Sequence, residues 1–324
     1  MNVLADVLSA TVIFAVPLLL VALGGMFSER SGIINIALEG IMIIGALFSC
    51  LMLNFLDGIG LGDSAPLLAM FIAILVAGIA GVAFSLFLAF ASINLRADQT
   101  IGGTALNMMA PAFAIVLTWA VQGQGQTTIL FPSWIRIGNA DPGAGFLQNF
   151  IFKSFFLTTP VAIVLLFVAI VLLYKTKFGL RLRACGEHPQ AADSVGINVF
   201  KMRYAGVMIS GFLGGIGGLA FTIAAGSGFQ SDVAGYGFLA LAVMIFGNWQ
   251  PMRICGAAVF FALFKVIGSY SASIPFLPHF EGVKASQNIY QMLPYIVTMV
   301  VLVFTSKKSR APKAEGIPYD KGLR

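Results

Sequence analysis

Charged residues are scarce in this sequence, at 10% of 324 residues, whereas a soluble domain carries about 25%. Apolar residues reach 59%, the mean hydropathy is +0.94, and the excess lies in long uncharged runs. A soluble enzyme is therefore excluded. The sequence predicts an all-α polytopic membrane protein, because the runs are continuous and too long for the alternating strands of a barrel.

Motifs for catalysis are also missing. The chain has no G-x-x-x-x-G-K-[ST] loop to cradle a nucleotide phosphate, no H-E-x-x-H, and no plausible Ser/His/Asp set. Its two histidines, His188 and His279, are predicted to lie on opposite sides of the membrane, and its three cysteines lack ligand spacing. We expect no catalytic site, metal or cofactor in this chain. Uphill transport would draw energy from a partner chain or from coupled ions.

Nine apolar runs are long enough for membrane helices, although the seventh is short. A helix needs about 20 residues to cross the hydrocarbon. The predicted spans are about 8–27, 33–55, 66–93, 100–120, 154–174, 204–225, 233–252, 254–273 and 289–305.

The basic residues predict the orientation of these spans. With a cytoplasmic C-terminus, fifteen of the nineteen lysines and arginines fall on the cytoplasmic side, as the positive-inside rule requires. The N-terminus is then outside. The net charge of +6 therefore reflects membrane orientation, and no nucleic-acid partner is expected. The predicted domains are a transmembrane part, 1–305, and a basic cytoplasmic tail, 306–324, which we expect to be loosely ordered.

The long basic loop 175–203 contains a short helix signal. Pro189 suits the first helical position, Ala191 and Ala192 favour helix with little bulk, and Gly196 is a natural stop. Small exposed residues on this helix would suit a groove on another protein. A basic loop anchored by lipid phosphates is the alternative, and composition alone leaves both open.

Two polar residues at the start of the second span have two interpretations. Glu39 is seven residues into the run, where a carboxylate must face protein or water. Asn35 lies four residues earlier, on the same helical face. Together they would either line a translocation path or tie two helices together.

A second polar group lies in the fourth span. Thr100, Thr104 and Asn107 share a helical face, followed by Met108. An amide can pair with a base edge or a ribose hydroxyl, and methionine gives an adaptable apolar wall. The same residues also serve as hydrogen bonds between membrane helices, so both roles stay open.

Two further features of the spans predict structural roles. Gly211/Gly215 and Gly214/Gly218 form overlapping small-x-x-x-small pairs that predict close helix packing rather than a phosphate loop. Lys265 lies near the middle of its span. It would pair with a carboxylate, for which Glu39 is one candidate, or extend to the interface.

Four segments resemble one family, the permeases of ATP-binding-cassette importers for branched-chain amino acids, simple sugars and nucleosides. The loop 178–198 looks like the cytoplasmic coupling loop of these permeases. The string S-E-R-S-G-x-x-N-I-x-L-E-G at 28–40 is similar to the signature of the nucleoside (guanosine-type) subgroup. Segments 96–103 and 311–319 look like the same subgroup.

The resemblance implies a type II importer-like bundle in the bacterial plasma membrane, translocating nucleosides. Separate cytoplasmic ATPase subunits would bind ATP and Mg²⁺, a second, paralogous permease would complete the pair, and an external substrate-binding lipoprotein or periplasmic protein would deliver the solute. The residues matching the coupling motif are Gly186, Glu187, His188, Pro189, Ala191, Ala192 and Gly196. Sugars or riboflavin-like compounds are the alternative solutes. An ion-coupled secondary transporter is a less favoured alternative, because Glu39 and Lys265 are the only two mid-membrane charges that would support it.

Overall fold

The computed structural model describes residues 2–135, 156–269 and 311–321, with six single positions between 292 and 303. Its helices are α1 (Asn2–Arg30), α2 (Leu38–Gly58), α3 (Leu61–Ser64), α4 (Pro66–Ala89), α5 (Gln99–Gln122), α6 (Thr158–Lys175), α7 (Lys177–Glu187), α8 (Pro189–Ser194), α9 (Val199–Ala225), α10 (Tyr236–Phe246) and α11 (Pro251–Ser269). A π-helical turn, Phe90–Asn94, follows α4. Within these ranges extended pairing is limited to one bridge, between Ile129 and Phe229.

Seven of the described helices are long and apolar enough to cross a membrane, which confirms the all-helical membrane class. They correspond to the first six predicted spans and the eighth. The predicted seventh span is replaced by α10, whose 11 residues cover only about 16 Å. The ninth span, 289–305, lies outside the described residues except for single positions. The count of nine and the orientation stay predictions.

Helices α1 and α9 form the centre of the bundle, with 78% of each span buried. Helix α9 packs against α1, α2 and α4, and its glycines permit the approach. A Cβ at Gly215 would be 2.1 Å from the Ala77 carbonyl oxygen of α4, and one at Gly218 would be 2.0 Å from the Met42 carbonyl oxygen of α2. Gly211 and Gly214 are similarly crowded, against α4 and α2 respectively.

Side-chain caps fix three helix starts at one end of the bundle. We name this end, which carries loop 175–203, the basic end. Asp98 accepts from the N–H groups of α5, Thr176 from α7, and Asn198 from α9, satisfying donors that an uncapped helix leaves orphaned. Helix α9 ends at Ala225, and Gly226 follows with a φ of +69°, which favours glycine.

The C-terminal tail corrects one expectation. Residues 311–321, which we name the strap, pack across the basic end although their polarity predicted loose order. Ala314 and Tyr319 are 7% and 4% exposed. The polar composition did not predict this packing, because the strap is held by backbone hydrogen bonds and one aromatic ring rather than by an apolar run.

Candidate functional site

An extended segment enters the bundle between α1 and α2. Residues 33–37 lie outside the helices, yet Ile33, Asn35 and Ala37 are fully buried. Such backbone is tolerated at membrane depth only where it meets protein or a water-filled cavity.

Polar side chains of α5 satisfy this segment. The Ile34 N–H donates to Gln99 Oε1 (2.7 Å). Asn107 bonds twice: its Nδ2 donates to the Ile36 carbonyl oxygen, and its Oδ1 accepts from the Gly40 N–H, both at 2.8 Å. The α5 side chains thus replace the helical bonds that the segment lacks.

A second interruption meets the first at Glu39. Residues 226–235 run without helix into the short helix α10, and both Glu39 carboxylate oxygens accept from its first turn. The N–H groups of Gly235 and Gly237 donate at 2.8 and 2.6 Å. A Cβ at Gly237 would be 2.4 Å from the Glu39 nitrogen. Glu39 therefore caps the positive end of a half-helix.

The two interruptions extend from the basic end, where Gln99 begins α5, to about the middle of α9. Asn35 Nδ2 donates to Ser210 Oγ (2.8 Å), and Ser210 is about 16 Å along α9 from its start at Val199. That is roughly half of a 30 Å hydrocarbon core. We name Asn35, Glu39, Gln99, Asn107, Gly235 and Gly237 the mid-span site.

Two buried polar atoms of the mid-span site have no hydrogen-bond partner within the described ranges. They are Asn35 Oδ1 and Gln99 Nε2, on residues that are 0% and 3% exposed. Buried polar groups are nearly always paired. One acceptor and one donor are therefore left unsatisfied among the described residues, at atoms that the protein encloses.

The polar residues predicted to act together on α5 face in different directions in the structure. Asn107 points to α2 and uses its amide there, so it is not open to a solute. Thr100, Thr104 and Met108 are exposed, with Met108 at 75%. Helix α5 is the least buried of the seven candidate spans, at 17%. Gln99, whose role the sequence did not indicate, replaces Asn107 as the group with a free donor.

Lys265 does not pair with Glu39 in the described structure. Its Nζ lies 5.9 Å from the centroid of the Tyr236 ring, at the start of α10, a geometry typical of a cation–π contact. The candidate ion pair was wrong because the backbone of α10 already supplies two donors to Glu39.

At the basic end, α7 and α8 form a two-helix projection. Gly186 in α7 is buried, and a Cβ there would be 2.3 Å from the Arg30 carbonyl oxygen. Glu187 Oε1 lies 3.9 Å from Arg30 NH1. These two residues thus fix the projection to the end of α1, and Gly196, with φ +82°, ends the turn after α8.

Only one side of α8 is open. His188, Gln190 and Ala191 are exposed, and Val195 is 74% exposed. Pro189 and Ala192 are buried, which corrects the expectation that both alanines are exposed. Ala192 packs in a cluster with Cys185, Val199 and Tyr319. The sequence missed Val195, because a single valine in a polar loop is not distinctive.

Broken helices that meet inside a membrane bundle, with a short exposed projection at one end, define a polytopic transport permease. The family described as branched-chain amino acid transport system / permease component matches residues 7–302. The chain belongs to this family, which confirms the resemblance of its motifs.

Curated relatives match along nearly the whole chain. The guanosine ABC transporter permease protein NupQ of Bacillus subtilis is 43% identical over 100% of this chain and 99% of its own. The nucleoside ABC transporter permease protein NupC of Lactococcus lactis is 41% identical over 99% and 98%. A putative glucose ABC transporter permease protein of Haloferax volcanii is 29% identical over 94% and 92%. No solved structure matches.

Proposed function

We propose that this chain is the membrane permease of an ABC importer for nucleosides, with purine nucleosides foremost. The observation that carries the proposal is the identity of more than 40% to two permeases named for guanosine and nucleosides. It extends over both chains from end to end.

In this proposal, α7 and α8 are the coupling helices. The exposed residues His188, Gln190, Ala191 and Val195 contact a separate ATPase subunit, which binds ATP and Mg²⁺. Gly186, Glu187, Pro189, Ala192 and Gly196 act by holding α8 in place. The basic end then lies in the cytoplasm, in agreement with the basic residues of loop 175–203.

The translocation path runs along α5. Thr100, Thr104 and Met108 face out of this chain, so a second permease covers them and the solute passes between the two. Asn35 Oδ1 and Gln99 Nε2 are enclosed in this conformation, and they would serve the path only when the bundle opens. Two nucleoside permeases of Lactococcus lactis, NupC and NupB, are 41% and 25% identical to this chain, which supports a pair of paralogous permeases.

An external substrate-binding protein delivers the nucleoside to the bacterial plasma membrane. Sugar import is the alternative, favoured by the glucose-permease relative of Haloferax volcanii. The similarity to that relative is lower by more than ten percentage points than the similarity to NupQ.

Competition for uptake tests the solute. Cells that depend on the complete transporter are given labelled guanosine with an excess of unlabelled purine nucleosides, pyrimidine nucleosides, glucose or riboflavin. We expect nucleosides to compete and glucose and riboflavin not to. Competition by glucose but not by nucleosides would replace the proposal with the sugar alternative.

A further inference from the structure

The strap joins the two coupling helices to three other parts of the chain. The Ala314 N–H donates to the Gly186 carbonyl oxygen of α7 (2.9 Å), and the Gly316 N–H to the Gly32 carbonyl oxygen (3.3 Å). The Ile317 carbonyl oxygen accepts from Arg203 NH2 of α9 (3.1 Å). These bonds connect the ends of α7, α1 and α9.

Tyr319 is the apolar anchor of the strap. Its ring is 5.5 Å from that of Phe200 and T-shaped to it, and the Arg203 guanidinium lies 6.0 Å from its centroid. The ring closes the cluster that contains Cys185 of α7 and Ala192 of α8. Tyr319 thus belongs to the same apolar cluster as the buried side of α8.

Asp320 extends the connection to the turn before α5. Its two carboxylate oxygens accept from Arg96 NH1 and NH2 at 2.8 and 3.1 Å, a bidentate pair with fixed geometry. Arg96 has a φ of +55°, which L-residues rarely adopt. Local backbone preference therefore does not explain its position.

Helix α8 needs such support. It has six residues, far fewer than the 12–15 or so at which an isolated helix becomes even marginally stable. Its angle and height are therefore set by what its buried side contacts. Pro189 and Ala192 form that side, and Ala192 shares an apolar cluster with Tyr319.

We propose that the strap positions α8 for the ATPase and transmits its movement to α1, α5 and α9, with Tyr319 and Asp320 as positioning residues. The proposal rests on the proposed function, because it assumes that α8 docks on an ATPase. Without the strap, α8 keeps its sequence and its exposed residues but loses its fixed orientation. Docking then yields less transport for each ATP hydrolysed.

Cys185 gives a direct report of the strap. It is fully buried in the apolar cluster that contains Tyr319, and burial raises the pKa of its thiol to about 11, so its reaction with a thiol reagent is slow. In a Cys255→Ser background, with Cys50 buried inside the bundle, the complete complex is labelled with a small maleimide. We expect Tyr319→Ala to raise the Cys185 labelling rate about ten-fold or more, and Lys321→Ala to leave it unchanged.

The second measurement is the yield of cross-links from a photoreactive residue at position 195 to the ATPase, together with solute transported per ATP. Tyr319→Ala should lower both by about five-fold or more, the range of a typical coupling between sites. The double variant Arg96→Asp/Asp320→Arg should recover what either single change loses.

The outcomes separate the two proposals. A wild-type complex without cross-links from position 195 contradicts the proposed docking on α8. Wild-type cross-links that persist undiminished in Tyr319→Ala, with faster Cys185 labelling, contradict the strap proposal alone. Slow Cys185 labelling in Tyr319→Ala also contradicts it. If Tyr319→Ala fails to assemble, the charge-swap series decides: no recovery in the double variant overturns the proposal.

Discussion

Glu39 links the two non-helical interruptions. Substitutions at this position test whether it does so by hydrogen bonding or by its charge. Its two oxygens accept from the Gly235 and Gly237 N–H groups. Glu39→Leu leaves both donors buried without an acceptor, at about 1–3 kcal/mol each, or roughly 2–6 kcal/mol in total. Glu39→Gln keeps one acceptor and turns its amide donor toward the other N–H. We therefore expect Gln to cost about half as much as Leu.

The assay compares thermal unfolding of the purified permease with uptake kinetics of the complete transporter. The melting temperature should fall in the order wild type, Gln, Leu. Because Glu39 positions α10 rather than contacting solute in this account, the maximal uptake rate should fall in the same order with little change in KM. Equal losses for Gln and Leu would show that the charge itself matters. A raised KM with unchanged stability would refute the positioning role and assign Glu39 to the solute path.

Three other perturbations have matched controls. Val195→Asp should lower ATP-driven uptake about ten-fold or more without loss of the permease from the membrane, because it places a charge in the proposed desolvated contact with the ATPase. The control is Ile59→Asp, at another exposed apolar residue (61%). Gly215→Val should destabilise the permease by about 1–3 kcal/mol or more, measured by thermal unfolding. Gly256→Val should not, because no atom of the described residues lies within 4 Å of a Cβ at Gly256. Burial raises the pKa of Glu315, against the lowering effects of a hydrogen bond to Glu29 and of nearby Arg30. Glu315 therefore binds a proton more tightly in the docked strap than in the released strap. Protonated Glu315 stabilises the docked strap fully below the ordinary carboxyl pKa, and this contribution is lost as the pH rises through the raised pKa of Glu315. Cys185 labelling should accelerate with pH more steeply in wild type than in Glu315→Gln.

Much of the bundle was predictable from hydropathy, because uncharged runs of about 20 residues have few alternatives to membrane helices. The short helix α10 shows the limit. Residues 233–246 form one apolar run, so hydropathy does not reveal that the helix begins only at Tyr236 and has 11 residues. The Glu39 contact that fixes the start of α10 joins residues almost 200 positions apart, and local pattern carries no sign of it.

The candidate site was predictable in its residue types but not in its pairings. Asn107 and Glu39 were correctly singled out as polar groups in apolar runs, yet their partners are backbone groups, which have no sequence signature. The strap was misjudged for the same reason. Three of its bonds use backbone atoms, and a polar composition gives no indication that such a segment docks.

Reconstituted transport tests the central claim most directly. Proteoliposomes containing this chain, the proposed second permease, the ATPase and the binding protein are supplied with labelled guanosine, with and without ATP on the side of the ATPase. The account predicts that guanosine crosses the membrane only when ATP is hydrolysed and all components are present. Accumulation by this chain alone, driven by an ion gradient without ATP, would contradict it.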